Sequence, residues 1–349
     1  MRFASDNSGP VHPKVMDALT AANNGYALPY GNDDWTRQAE DQVRAVFEAP
    51  EAAVYFTATG SAANALALAT VAAPFQTVFC TPEAHIEQDE CNAPEFYTGG
   101  AKLTLVEATD ARMVPAALAA VLEDKAGRNV HGAQIGPLSL TQVTERGTVY
   151  TLDALRALTT VAKAHGQTVH LDGARFANAL VALGCTAAEM SWKSGVDIVS
   201  FGGTKNGLMA AEAVVIFDPA LAWDFELRRK RGGHLFSKSR YLGAQMGAYL
   251  ADDLWLDMAL QSNQAAQRMA DGLRAQPGVI LLHPPEANMI FANFSKAAHR
   301  RLQAAGAQYY PAPGATDGAD DEVASARIVL DWSCPDEHIS EFLGLIADG

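Results

Sequence analysis

The chain has 349 residues, 49% hydrophobic and 19% charged, with 26 basic against 40 acidic side chains and a formal charge of −14. That length suits one large domain or two moderate ones, and the apolar content excludes a disordered chain, which lacks the surface to offset ordering entropy. The acidic balance excludes a general nucleic-acid binder, which needs surplus Lys and Arg to neutralise phosphates; a small anion held by a few local cations stays open.

The opening MRFASDNSGPVHPKV carries no apolar h-region of a secretory signal. The most apolar stretch, 62–75, is interrupted by Asn64 and Thr70 and is too short to span a bilayer. Cys80, Cys91, Cys185 and Cys334 show neither CxxC nor clustered spacing, so neither a disulfide framework nor a metal site is expected. The expectation is a cytoplasmic protein with neither nucleic-acid nor membrane partners.

In chain order, AAVYF (52–56) predicts a strand and SAANALALATVAA a helix after it. TVFCT (77–81) and KLTLVEA (102–108) predict strands, and AALAAVLEDK a helix. DALRALTTVAKAHG (153–166) predicts an amphipathic helix with Leu155, Leu158 and Ala162 on one face and Gly166 as its stop. QTVHLDG, DIVSFGG and AEAVVIF predict strands; FANALVALG and AAEMSWKSG predict helices. Strand–helix–strand units of this length imply an α/β fold, a mostly parallel sheet sandwiched by helices. Beyond about residue 240 a long helical region runs to Pro277, followed by strands VILLH, MIFANF and ARIVLDW, with helices SKAAHRRLQAAG and DEHISEFLGLIA. The expected division is an N-terminal segment 1–14, a large domain 15–245 and a smaller C-terminal α+β domain 246–349. A Pro/Gly/Asp-rich loop occupies 311–322.

Lys205, in DIVSFGGTKNG, follows an apolar strand at the sheet edge where α/β proteins bind ligands. Gly202, Gly203 and Gly207 would let a flat ring approach the backbone, and partial desolvation would favour an imine with a carbonyl. A surface turn lysine is the plainer alternative. Asp172, in QTVHLDGARFANA, ends the preceding strand; it suits the protonated ring nitrogen of pyridoxal phosphate, or caps the next helix. Arg175 is placed to neutralise the cofactor's phenolate or to pair with Asp172, and Ala174 is small enough to pack on a ring. In TATGSAAN, Gly60 and Ser61 open a helix and present N–H groups and a hydroxyl to an anion, as an ordinary cap also would. There is no GxGxxG, so a dinucleotide reading has no support. His85, in TPEAHIEQDE, suits ring stacking or acid–base work; Glu87, Asp89 and Glu90 beside it are either solvated or bonded to it.

FASDNSG, PYGNDD, TGSAAN, EAHIEQDE, HLDGARFANA and SFGGTKNG stand in the order and spacing of the low-specificity L-threonine aldolases, which the chain resembles over nearly its whole length. Those enzymes are similar to the β-eliminating lyases of the fold-type I pyridoxal-phosphate superfamily. The resemblance implies a fold-type I transferase-like fold with pyridoxal 5'-phosphate as cofactor. By it, Lys205 resembles the Schiff-base lysine, Asp172 the pyridinium partner, Arg175 a contact of the cofactor oxygen, Gly60 and Ser61 phosphate ligands, and His85 the ring-stacking histidine. Ser5 and Arg327 match carboxylate-binding positions, and Tyr30 a loop reaching the neighbouring subunit's site. Arg240, with Arg231 as second candidate, resembles an arginine reaching a neighbour's cofactor phosphate. The chain departs from the family in TQVTERG, where Glu145 replaces a histidine. There Thr144 and Glu145 are read as partners of the substrate hydroxyl, or Glu145 as orienting His85.

The implied reaction cleaves L-threonine, L-allo-threonine or a phenylserine-type substrate to glycine and an aldehyde, with His85, directly or through water, as the base. The rival within the class is a β-eliminating lyase or aminotransferase acting on a small amino acid. A non-catalytic α/β binding protein is the rival outside it. The resemblance also implies a homodimer at least, and a homotetramer by the family's shared sites.

Overall fold

The computed structural model describes residues 1–347. Seven strands form the large sheet, in the order Ala53–Thr57, Glu212–Ile216, Ile198–Gly202, Val169–Gly173, Gln134–Thr141, Gln76–Cys80 and Lys102–Leu105. The last five run parallel, while Glu212–Ile216 opposes both its neighbours. The reversal has a local cause: only residues 203–211 separate it from Ile198–Gly202, too few for a helical crossover. The three strands Val169–Gly173, Ile198–Gly202 and Glu212–Ile216 are buried at every residue, as expected where helices cover both faces. On one face Ala63, Leu66 and Ala67 of the helix Gly60–Val71 meet Ile198, Val214 and Ile216. On the other, Leu155, Leu158 and Ala162 of the helix Leu152–Ala164 enter the main core, as their spacing predicts.

A four-stranded antiparallel sheet follows, ordered Ile280–Leu281, Met289–Ser295, Val323–Val329 and Tyr310–Pro311. Its core contains Met269, Leu273, Ile290, Ile328 and Phe342, and also Phe3 from the start of the chain. The helix Leu254–Arg274 serves both cores: Trp255 and Met258 pack in the large one, Ala266 and Met269 in the small one. Among the described residues no helix is long and apolar enough to cross a membrane.

Several expectations are corrected. The central strand Gln134–Thr141 is absent from the sequence reading because Gly136 and Pro137 interrupt its apolar run. Its pairing with Gln76–Cys80 shifts register between Thr77 and Phe79, which accommodates the proline. Residues 187–195 form turns and a single 3-10 turn, Trp192–Ser194, instead of a helix. Side-chain hydroxyls compete for the carbonyls there: Ser191 donates to Ala187 O and Ser194 to Glu189 O, and Gly195 turns the chain at φ +90°. The long helical region breaks into Arg240–Leu250 and Leu254–Arg274, with Asp252 and Asp253 in the left-handed region between them. Residue 245 therefore lies inside a helix that packs in the large core. Helices Pro13–Ala22, Asp34–Val46 and Ala222–Arg231 have no counterpart in the sequence reading.

Candidate active site

The carboxyl ends of Gln134–Thr141, Val169–Gly173 and Ile198–Gly202 and the start of Gly60–Val71 converge on a cavity of about 330 Å³. Gly60, Ser61, His85, Glu145, Asp172, Arg175 and Lys205 all line it. Behind it, His170 is fully buried between Ser139 Oγ and Ser200 Oγ, 3.0 Å from each, and so ties three adjacent strands together. Burial pushes this imidazole down to about 4, so it is neutral and structural.

Asp172, 3% exposed, is held at both oxygens: Oδ1 accepts the Ala174 N–H at 3.0 Å and Oδ2 accepts Asn64 Nδ2 at 2.8 Å. The same Nδ2 donates to Glu90 Oε1 at 2.9 Å, and that oxygen lies 2.8 Å from His85 Nδ1. One amide nitrogen thus joins two buried carboxylates, and through Glu90 the imidazole. The hydrogen bond to Glu90 raises the His85 pKa, with the Asp172 charge adding to it, and burial raises that of Glu90. Of the three acids near His85, only Glu90 turns inward; Glu87 and Asp89 are exposed. Replacing Asn64 by leucine leaves both carboxylates without their shared donor, and we expect it to cost about 3 kcal/mol, read as a lower urea midpoint of the apoprotein. An unchanged midpoint would show that this bridge does not support the fold.

Lys205 faces the cavity from the 3-10 turn Thr204–Asn206 that follows Ile198–Gly202. Burial and the Arg175 guanidinium lower its pKa. The surrounding glycines also serve packing, and Gly202 lines the cavity. A Cβ on Gly202 would stand 2.6 Å from the Ala174 carbonyl oxygen, and one on Gly207 (φ +93°) 2.7 Å from Met258 Sδ. Arg175 does not pair with Asp172: it grips Asp6, Nε to Oδ2 at 2.6 Å and Nη2 to Oδ1 at 2.9 Å. Asn288 also donates to Asp6 Oδ2, at 3.1 Å. Burial alone would raise the Asp6 pKa, yet the Arg175 and Lys205 charges outweigh it and hold the carboxyl low. Glu145 accepts the backbone N–H of His85 at 2.8 Å through Oε1.

Other assignments fall beside the cavity. Ser5 caps the short turn Asp6–Ser8, its Oγ accepting the Asn7 N–H at 3.1 Å. Arg327 reaches the Ala4 carbonyl at 3.4 Å and lies over the Tyr310 ring, 4.5 Å from its centroid. Four are not brought to the cavity within one chain. Thr144 is buried with its Oγ1 2.7 Å from Thr148 Oγ1, so its hydroxyl is spent in the loop and the substrate-contact reading is corrected. Tyr30 is exposed beneath Lys230, and Arg240 donates to Gly25 O while stacking on Tyr241. Arg231 ends the helix Ala222–Arg231. The sequence reading missed Asp6, Asn64 and Glu212. Glu212 carried a signal, a lone carboxylate opening an apolar strand; it is buried and accepts the Gly203 N–H at 2.7 Å.

The site fits pyridoxal phosphate. A Cβ on Gly60 would meet open space, so the N–H groups opening Gly60–Val71 face an unfilled volume suited to an anion. Lys205 and Asp172 share that cavity from adjacent strand ends. A mostly parallel seven-stranded sheet with this pair at its carboxyl edge defines a fold-type I pyridoxal-phosphate enzyme.

Residues 2–297 match the β-eliminating lyase family. The low specificity L-threonine aldolase of Pseudomonas aeruginosa is 40% identical over 97% of this chain and 95% of its own length. The structure of Leishmania major threonine aldolase superposes with a TM-score of 0.91 at 26% identity, covering 99% of this chain and 98% of that one. Serine palmitoyltransferase from S. paucimobilis, solved with bound PLP and myriocin, shares the fold: TM-score 0.69 at 17% identity, over 99% of this chain and 86% of that one. The chain belongs to the β-eliminating lyase family.

Proposed function

We propose that the protein cleaves β-hydroxy-α-amino acids of the threonine or phenylserine type to glycine and an aldehyde. The observation that carries this is the adjacency of Lys205 and Asp172 in a cavity that a helix N-terminus also opens upon. The 40% identical relative named as a low specificity L-threonine aldolase directs it to this substrate class. Bound here, pyridoxal phosphate supplies a carbonyl for amines and an electron sink for the pair left at Cα. Lys205 would hold that carbonyl, its lowered pKa leaving the amine nucleophilic. Asp172 would keep the ring nitrogen protonated, and Gly60 and Ser61 would hold the phosphate. His85, fixed through Nδ1 by Glu90, would stack on the ring. Arg175, already neutralised by Asp6, would face the ring oxygen, with Arg327 and Ser5 on the substrate carboxylate.

We place the protein in the cytoplasm, where its four unpaired cysteines stay reduced. A homodimer at least, and a homotetramer by the family reading, would bring Tyr30 and Arg240 to a neighbour's site. The support is a shared face: Tyr26, Leu28, Tyr30 and Phe236 are exposed there, and Tyr30 N–H donates to Ser237 O. For the two domains read as 15–245 and 246–349, we propose a boundary moved to the Ala251–Asp253 break, with Phe3 packing on the small one.

The test is incubation of the cofactor-loaded protein with L-threonine, L-allo-threonine and both phenylserine diastereomers. We expect glycine with acetaldehyde or benzaldehyde; ammonia and a keto acid instead would make it a β-eliminating enzyme.

A further inference from the structure

We propose that Glu145, and not His85, accepts the β-hydroxyl proton when the Cα–Cβ bond breaks. This rests on the aldol-cleavage reading above. Glu145 lines the cavity with Lys205 and Asp172, and its carboxylate is fixed at one end only. Oε1 takes the His85 backbone N–H at 2.8 Å; Oε2 is buried and has no hydrogen-bond partner among the described residues, with the Thr141 hydroxyl beside the carboxylate. A buried carboxylate oxygen with nothing bonded to it is costly, and it persists where a ligand group is due to meet it. The donor this oxygen lacks is one proton-bearing group entering the cavity, and a substrate hydroxyl is such a group.

The charges around Glu145 favour a proton acceptor poised near neutrality. Asp172 faces it across the cavity, with the His85–Glu90 pair alongside. On its other sides stand Cys80 and Tyr150, both pushed up by burial, with the Glu145 charge contributing, so neither offers a cation or a second anion near neutral pH. Arg146, next in sequence, lies over the Phe291 ring, 5.4 Å from the centroid. Burial and the Asp172 charge raise the carboxyl to about 7. His85 is arranged to keep a proton, since Nδ1 is committed to Glu90 and that bond makes the ring hold its proton more tightly. An imidazole so held is a ring contact and a charge, and a poorer acceptor.

The step balances within the site. The hydroxyl O–H bond breaks and its proton goes to Glu145 Oε2. The O–H electron pair becomes the second bond of the aldehyde carbonyl, and the Cα–Cβ pair stays at Cα, where a proton from solvent completes glycine and balances the one Glu145 gives up. Glu145 loses its proton to water after the aldehyde leaves.

Glu145→Gln tests this with two reactions of the loaded enzyme. Cleavage of β-hydroxy acids should fall about 100-fold or more. Exchange of the glycine α-hydrogen in heavy water, which moves no hydroxyl proton, should stay within about threefold of the unsubstituted enzyme. The limb of kcat/KM that rises through a pKa of about 7 should vanish in Glu145→Gln, survive shifted in Glu145→Asp, and persist in His85→Gln.

The apoprotein gives a readout independent of turnover. A carboxyl raised on folding contributes stability that is present below its unfolded value and is lost as pH rises through about 7. The apoprotein should therefore lose melting temperature across that window, and Glu145→Gln should lose less of it, the remainder coming from Glu40, Glu90 and Glu212, which burial also raises. Equal losses of cleavage and exchange in Glu145→Gln, or a pH limb that stays there and disappears in His85→Gln, would overturn the proposal. If the unsubstituted enzyme exchanges glycine α-hydrogen yet cleaves no β-hydroxy acid, the aldolase reading fails first, and the proposal with it.

Discussion

Lys205→Ala should abolish turnover, lowering kcat by about 10⁴-fold or more, and should remove the yellow imine absorbance that borohydride reduces. The size of the effect follows from the site. Lys205 is the lysine lining the cavity, and burial and the Arg175 charge lower its pKa. Among the described residues no second amine lines the cavity to replace it: the nearby groups are carboxylates, the Arg175 guanidinium, an imidazole committed to Glu90, and Ser and Thr hydroxyls. The variant should stay folded, because an alanine there relieves a desolvated ammonium instead of breaking an ion pair. Binding of the cofactor should weaken without disappearing, since Gly60, Ser61 and Asp172 are untouched. Full turnover in Lys205→Ala would remove the lysine from the mechanism.

The second large effect concerns stability. Asp6→Ala should cost about 3–5 kcal/mol, because it strands the Arg175 guanidinium in a poorly hydrated place. The side chains are 1% and 13% exposed, and two parallel hydrogen bonds join them. The loss should also change the acid limb of stability. The Asp6 carboxyl is held below its ordinary value, Arg175 and Lys205 outweighing burial, so its contribution is present above the unfolded value and is lost as pH falls through the folded one. Urea midpoints of the apoprotein measured from neutral to acid pH check both. Asp6→Asn should lose less at neutral pH, since it keeps an acceptor for Arg175. Equal midpoints for the unsubstituted and Ala proteins would show the pair contributes nothing.

Those two residues also mark what a sequence exposes. Lys205 and Asp172 were legible because each follows a buried strand, where a charged side chain has few plain uses. Asp6 was not, because its partner lies 169 residues away and nothing local distinguishes it from Ser5, the residue the family pattern picks out. Asn64 was hidden for a related reason. It sits in an Ala-rich helix as an apparent interruption of apolarity, and its value lies in two carboxylates from other parts of the chain. The parallel sheet was legible from apolar runs, except at Gln134–Thr141, where Pro137 disguises a strand beside the site. Tyr30 and Arg240 are a different case: their place on an exposed face of one chain is intelligible only if a second copy meets that face.

Phe3 carries one more consequence. It is fully buried, edge-on to Phe342 at 5.2 Å, and its carbonyl takes the Val329 N–H while its own N–H goes to Gln308. The segment around Phe3 is thus keyed into the distant helix Asp336–Ala347. Without that helix Phe3 loses its edge-on partner, and Asp6, only a few residues on, is less firmly anchored from that side. Closing so long a loop is among the slowest contacts a chain can make. The contact that seats the segment carrying Asp6 is therefore a long-range one, formed late in folding.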